Sequence, residues 1–337
     1  MKITKSYLKH YLAATEESFK KWGYYYPPRN HEELLVWEHN IHKEHLADQI
    51  DGSTIKTTLH IRLLCDLNVF AYLQAFEQDD CALLNKAIWQ NARHNLLDSA
   101  TIVSSADHCS LLPKALAAFA CNDFGIIDHF FPLALPHSAG HFYTENAVNL
   151  LKVIYYSQDD LQTEAIAKAQ HFLETGRPGH GIGKLTLWER YVVLYFIALV
   201  QRDDNAASEY LQQLCLAHQK RGYLMKKVEK CFAIEIHGLY HCARLLGEDF
   251  FAKLTRPKHA SFCEEFEIWQ AENSYPRGEQ WRVYPAELDY MNKILAAPLP
   301  YMHLIEYRDA GRMKFQKDVE RFKSDLANNV NAKLCPA

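Results

Sequence analysis

With 337 residues, 48% of them hydrophobic and 23% charged, the chain has the composition of a folded globular protein with enough apolar material for a continuous core, which excludes a disordered or fibrous polymer. Its formal net charge of −4 is too small to point to nucleic acid or to an acidic substrate. Nine cysteines form no CxxC pair, and Cys65, Cys215, Cys231 and Cys242 sit inside apolar helical patterns, so reduced, packed thiols and a cytoplasmic location are expected.

The start, MKITKSYLKHYLAATEESF, has a basic beginning but no apolar core of signal-peptide length. No stretch reaches the about 20 apolar residues of a membrane span; VVLYFIALV is short and bounded by charges. Residues 1–26 read as an amphipathic segment with Leu8, Tyr11, Leu12 and Phe19 at helical spacing, ended by Tyr24-Tyr25-Tyr26-Pro27-Pro28, because proline disfavours helix at the residue before it. A polar helix is expected from about Glu32 to Ile50, closed at Gly52.

From Thr54 to about Thr255 the pattern is helical almost throughout, and one arrangement recurs: an apolar helix, an acidic break, a second helix. The breaks fall at Asp79-Asp80, Asp123, Asp159-Asp160, Asp203-Asp204 and Glu248-Asp249, spaced by roughly 37 to 44 residues, the range of stacked two-helix repeats. An Asp at such a break accepts hydrogen bonds from the free N–H groups of the next turn, so these carboxylates read as helix starts and not as a magnesium site. After Pro257 come an acidic helix (HASFCEEFEIWQAEN), a segment rich in Pro, Gly and aromatics, and a last charged helix from about Leu304 to Leu326. No convincing alternation argues for a sheet. The expected fold is all-α: an array of stacked antiparallel helical hairpins, TPR-like or α-solenoid-like, with an irregular C-terminal cap. The corresponding divisions are an N-terminal helical extension at 1–55, the array at 56–256, and the cap at 257–337, packed on the array as one globular unit.

Four stretches invite chemistry. In EHNIHKEH, Glu38, His39, His42, Glu44 and His45 include pairs that share a helix face, but a zinc site needs further ligands from elsewhere, and a solvated polar face explains the stretch. His237 and His241 have the i, i+4 spacing of a helical zinc pair; the metalloprotease motif puts its glutamate directly after the first histidine, and here that position is Gly238, so packed histidines with local hydrogen bonds are expected. The loop TGRPGHGIGK, Thr175 to Lys184, departs from a phosphate loop at Pro178 and Leu185 and reads as a connection. The basic run QKRGYLMKKVEK, Gln219 to Lys230, reads as a solvated helix end. No GxSxG elbow is present. Neither catalysis nor a metal or cofactor is expected.

The hairpin LYFIALVQRDDNAASEYLQQL, the helix FAIEIHGLYHCARLLG, and the ending CEEFEIWQ followed by YPAELDYMNKIL together resemble the bacterial immunity protein 49 family, over about two thirds of the chain. The resemblance implies an all-helical protein that binds and neutralises a cognate antibacterial toxin, without catalysis of its own. The toxin would act in the cytosol, for example as a nuclease, and a basic toxin would be steered by an acidic patch. The candidate contacts are Glu264, Glu265, Glu267 and Glu272, for which an ordinary solvated helix face is the simpler reading. No membrane partner and no direct nucleic-acid contact is expected, and a homo-oligomer is compatible with the pattern. Two other readings stand beside it: a helical scaffold or regulator binding another host protein or peptide, and a helical metal-dependent hydrolase.

Overall fold

The computed structural model describes residues 1–47, 69–102, 108–176, 184–221, 225–286, 289–309 and 312–332. The glycine-rich loop at 177–183, Cys65 and the expected helix end at Gly52 lie outside these residues. Helices dominate, and the sheet found among the described residues is two-stranded. By packing, the chain divides into two compact units, one made of Met1–Asp107 with Glu265–Ala337 and the other of His108–Glu264. Segments set apart by composition at the two ends of the chain thus contribute to the same unit.

The first unit begins with α1 (Thr4–Trp22) and α2 (His31–Ala47), followed by the hairpin α3 (Val69–Gln78) and α4 (Cys81–Thr101). The inner face of α1 is Tyr7, Tyr11, Thr15 and Ser18, while Leu12 and Phe19 are exposed. Of the apolar positions expected at helical spacing, Leu8, Tyr11, Leu12 and Phe19, Tyr11 faces inward, Leu8 is half-buried, and Leu12 and Phe19 face out. The reason is the polypeptide that crosses beneath: the Tyr11 hydroxyl donates to the Pro28 carbonyl at 2.8 Å and the Ser18 hydroxyl to the Tyr26 carbonyl at 2.6 Å. Tyr7 packs against Phe76 of α3 with the rings tilted and their centres 4.4 Å apart.

Helix α4 buries Asn85, Gln90, Arg93 and His94 along with its apolar residues. These side chains hold the irregular segment from Pro276 to Tyr284, whose backbone has no helix or sheet to satisfy it, and Ala297, the residue just past the helix at Asp289–Ala296. Asn85 donates to the Pro276 carbonyl (3.2 Å), Gln90 accepts from the Arg282 N–H (2.9 Å), and Arg93 donates to the Ala297 carbonyl (2.9 Å). The unit is completed by α14 (Glu264–Glu272), which starts one residue before it, α15 (Asp289–Ala296), β1 (Leu304–Asp309), β2 (Arg312–Lys317) and α16 (Val319–Ala332). The strands pair antiparallel with Leu304 opposite Lys317 and Glu306 opposite Phe315. The single charged helix expected over 304–326 is therefore a β-hairpin followed by a helix, and Lys317 anchors the hairpin by donating to the Ser99 carbonyl of α4 at 2.8 Å.

The second unit contains α5 (Leu112–Ala120), α6 (Ile126–Phe130), α7 (Tyr143–Tyr155), α8 (Asp159–Thr175), α9 (Leu187–Val200), α10 (Asp204–Gln219), α11 (Lys227–Cys231), α12 (Ile234–Cys242) and α13 (Glu248–Phe251). Helix α9 pairs with α10 and also with α7, which pairs with α8; α12 lies against α5. Its core is apolar, with Val193, Phe196, Leu199, Leu211, Leu214 and Leu239 fully buried.

The turns at the ends of α3, α5, α7 and α9 share one construction. In each, the residue just past the helix takes a left-handed conformation: Asp79, Asn122, Ser157 and Arg202, with φ between 52° and 61°. The following N–H then reaches back five residues, from Asp80 to Ala75, Asp123 to Ala118, Gln158 to Val153, and Asp203 to Ala198, at 2.9 to 3.1 Å. This is the Schellman closure, which satisfies carbonyls that the helix end would otherwise orphan. Asp80 and Asp203 also start the next helix as expected, accepting from Leu83 N–H and Ala206 N–H at 2.9 Å each. At the third break the N-cap is Gln158, and Asp159 and Asp160 occupy the first turn of α8, where their charge suits the helix dipole without a cap bond.

Candidate partner-binding surfaces and the buried polar clusters

The histidine pair on α12 faces the interior. His237 and His241 are fully buried. His237 Nε2 accepts from the Cys263 N–H at 3.1 Å and its ring stacks on Phe262 at 4.1 Å; His241 Nδ1 lies 3.1 Å from the Phe119 carbonyl of α5. Between them, Gly238 meets the α5 backbone so closely that a Cβ there would stand 1.8 Å from the Leu116 carbonyl oxygen. The residue that interrupts the metalloprotease motif is thus a contact residue of the helix pair.

In the first unit, Glu38 is buried on α2 and paired with Arg282 at 2.7 Å. Burial raises its carboxyl pKa even though Arg282 opposes the shift. His39 is exposed, and the side chains of His42, Glu44 and His45 lie outside the described ones. Among the described residues no group of three or more His, Cys, Asp or Glu side chains could hold a metal.

Two polar clusters in the second unit were not singled out by sequence spacing. Lys152 is fully buried on α7 and donates to the Leu135 carbonyl; burial lowers its pKa to about 8. Beside it on the same helix, Asn149 clamps Ser138 by accepting from its N–H and donating to its carbonyl, both at 2.9 Å. The second cluster gathers at the end of α10, within the basic run expected to be solvated. Arg221 pairs with Glu235 and lies over the Trp188 ring at 4.4 Å, and Lys230 donates to the Gln219 and Arg221 carbonyls. Tyr143 is pushed up to about 12 by burial, with Glu235 adding to the shift. His218, 2% exposed, is depressed to about 4 by burial. In both clusters the chemistry-bearing groups close loops and helix ends; the signal that finds them is a charge inside an apolar helical pattern, as with Lys152 in NLLKVIYY.

Three features remain on the surface. On α14, Glu264 and Glu272 are exposed and Glu265 is partly covered, accepting from the Lys2 N–H at 2.9 Å. Glu267 is fully buried and is not available to a partner, because it lies on the same helix face as the core residues Phe266 and Gln270. In the second unit, an open depression of about 400 Å³ lies between two of the acidic breaks, lined by Arg202, Asp204, Glu248, Asp249 and Lys253 among others, with both signs of charge. The largest exposed aromatics cluster where α1 ends: Phe19, Trp22 and Tyr24 are 42 to 54% exposed, Phe19 stacks on Tyr25 at 4.4 Å, and the Arg29 guanidinium covers the Tyr25 ring at 3.4 Å. Composition alone did not separate these aromatics from the core, since Tyr7 and Tyr11 on the same helix are buried.

No helix among the described residues is long and apolar enough to cross a membrane. The chain matches no protein-family model, no curated protein and no solved structure.

Proposed function

We propose that the chain is a non-catalytic binding protein, built as stacked helical hairpins, that neutralises a cognate antibacterial toxin in the cytoplasm by holding it in a complex. The observation that carries the reading is one turn geometry that recurs at four of the acidic breaks, at Asp79, Asn122, Ser157 and Arg202, and once more after α14, where Ser274 is left-handed and the Tyr275 N–H returns to the Gln270 carbonyl at 2.7 Å. Repeated hairpins joined by one turn geometry stack into an extended surface, and such surfaces suit macromolecular partners better than small molecules. The resemblance to the immunity protein 49 family supplies the kind of partner. Glu264 and Glu272 remain the acidic contacts proposed for a basic toxin, with Glu265 at their margin.

Co-expression with the toxin encoded by the neighbouring gene tests this. Growth rescue and co-elution of the two proteins on gel filtration are expected. Toxicity without rescue and without a complex overturns the reading, as does rescue by turnover of the toxin's product in the absence of any complex.

A further inference from the structure

We propose that the outer face of α1, with the turn that follows it, docks on an anionic lipid bilayer surface. The helix has two apolar aspects. One is the core face already described. The other is a ledge beside it: Leu8, Leu12 and Phe19, spaced by four and seven residues, lie on one stripe, with Leu12 46% and Phe19 42% exposed. The ledge continues into Trp22 and Tyr24, which stack at 6.1 Å and are 51% and 54% exposed.

Cations run along the side of this ledge away from the core: at 3.6 residues per turn Lys5, Lys9 and Lys20 follow it, with Glu16 among them. Lys5, Lys9, Lys20 and Lys21 are exposed and form no ion pair among the described residues, and Lys21 lies over the Trp22 ring at 4.9 Å. Of the carboxylates on the same helix, Glu16 lies 3.9 Å from Arg29, whose closer partner is Glu33, so α1 carries four lysines against the two carboxylates Glu16 and Glu17. The face is therefore cationic on a chain whose formal net charge is −4.

The chemistry favours lipid over a protein partner. Protein interfaces are depleted in lysine at their centres, whereas an interfacial helix combines Leu, Phe and Trp with lysines whose stems lie along the apolar surface and whose ammonium groups reach the phosphates. Trp and Tyr at one end suit the headgroup level, where an apolar ring body and a polar edge are both satisfied. The contact is peripheral and does not require a spanning helix.

Co-sedimentation of the full chain with vesicles tests the proposal, using phosphatidylcholine alone and phosphatidylcholine mixed with phosphatidylglycerol. Binding to the anionic vesicles, weakened by salt and absent on phosphatidylcholine alone, is expected. Each lysine near the surface contributes about fivefold, so Lys9→Gln with Lys20→Gln weakens binding about thirtyfold. The same charge change at the exposed Lys220 and Lys227 of the second unit leaves it within about twofold. Phe19→Ser with Trp22→Ser abolishes the salt-resistant part. These are surface changes, and an unaltered thermal transition certifies the fold. Failure of the wild-type chain to bind either vesicle overturns the proposal, as does equal binding by wild type and both α1 variants. Loss of toxin binding by those variants with vesicle binding intact assigns the face to a protein and also overturns it.

Discussion

Gly238→Ala is the most searching test of how α12 and α5 meet. Real Cβ atoms essentially never approach another heavy atom closer than 3.0 Å, and here the new methyl would stand 1.8 Å from the Leu116 oxygen and 2.7 Å from its carbonyl carbon. The obstacle is backbone, so no rotamer change relieves it and the helices must part by roughly 1 Å in a close-packed interior. Overpacking of this kind costs about 1–3 kcal/mol. Parting the helices also stretches the His241–Phe119 hydrogen bond, and a buried polar group left unpaired costs about 1–3 kcal/mol more. Against this, alanine is a better helix former than glycine by about 1 kcal/mol. The expected net loss is about 3 kcal/mol, a substantial share of the about 5–15 kcal/mol that holds a typical domain. Urea unfolding followed by circular dichroism measures it as a lowered midpoint at unchanged slope. A variant as stable as the wild type, or stabilised by the helix-propensity gain, would refute the backbone contact.

The remaining expectations concern caps, a buried ion pair and pH. Asp80→Ala and Asp203→Ala each remove a cap bond and lose about 1 kcal/mol, while Asp159→Ala, with no cap bond to lose, costs only a few tenths of that by chemical denaturation. Ser157→Gly relieves a left-handed β-carbon and raises stability by about 1 kcal/mol; a loss instead would show that the turn depends on the serine side chain. Arg282→Ala leaves the buried Glu38 carboxylate uncompensated and costs about 3–5 kcal/mol, a loss that Glu38→Gln in the same chain partly restores; equal loss in both would count against the pairing. His218 is neutral in the folded chain down to about pH 4, whereas an unfolded histidine takes up its proton near its ordinary value of about 6.5. The unfolded state therefore binds more protons between those values, and stability falls as pH drops through the window. His218→Gln flattens that slope, and an unchanged slope in melting temperature against pH would assign the effect to other groups.

The helices and most of their breaks were legible because helical periodicity and acidic caps are local signals. Asp80 and Asp203 do what their positions indicate. The inner face of α1 was legible only in part: Tyr11 is inside as its spacing indicates, but Ser18 is inside because its hydroxyl meets the Tyr26 carbonyl, and hydropathy does not register that demand. The β-hairpin was missed for a related reason. In LIEYRDAGRMKFQK the charges fit a solvated helix as well as a strand, and the strands are secured by a distant contact, Lys317 to Ser99, that no local window contains. Of the four candidate contact residues, Glu264 and Glu272 could be read as surface, but Glu267 sits on the buried stripe that Phe266 and Gln270 define. The Arg221–Glu235 cluster brings together residues from three helix ends, and only tertiary packing unites them.

The left-handed turns carry a consequence for how this chain can diversify. Their geometry is written in backbone bonds, from Asp80 to Ala75 and at the four equivalent places, the turn after α14 included, and four different residue types, Asp, Asn, Ser and Arg, occupy the strained position. The backbone closure thus sets the path of the chain whichever side chain stands at the bend, although Asn122 also accepts from Arg244 at 2.9 Å and Asp79 pairs with the N-terminal ammonium. At the exposed Ser157, substitution can change the charge or size of the surface while the backbone closure stays intact, so that recognition can drift from one partner to the next without the helices being redesigned.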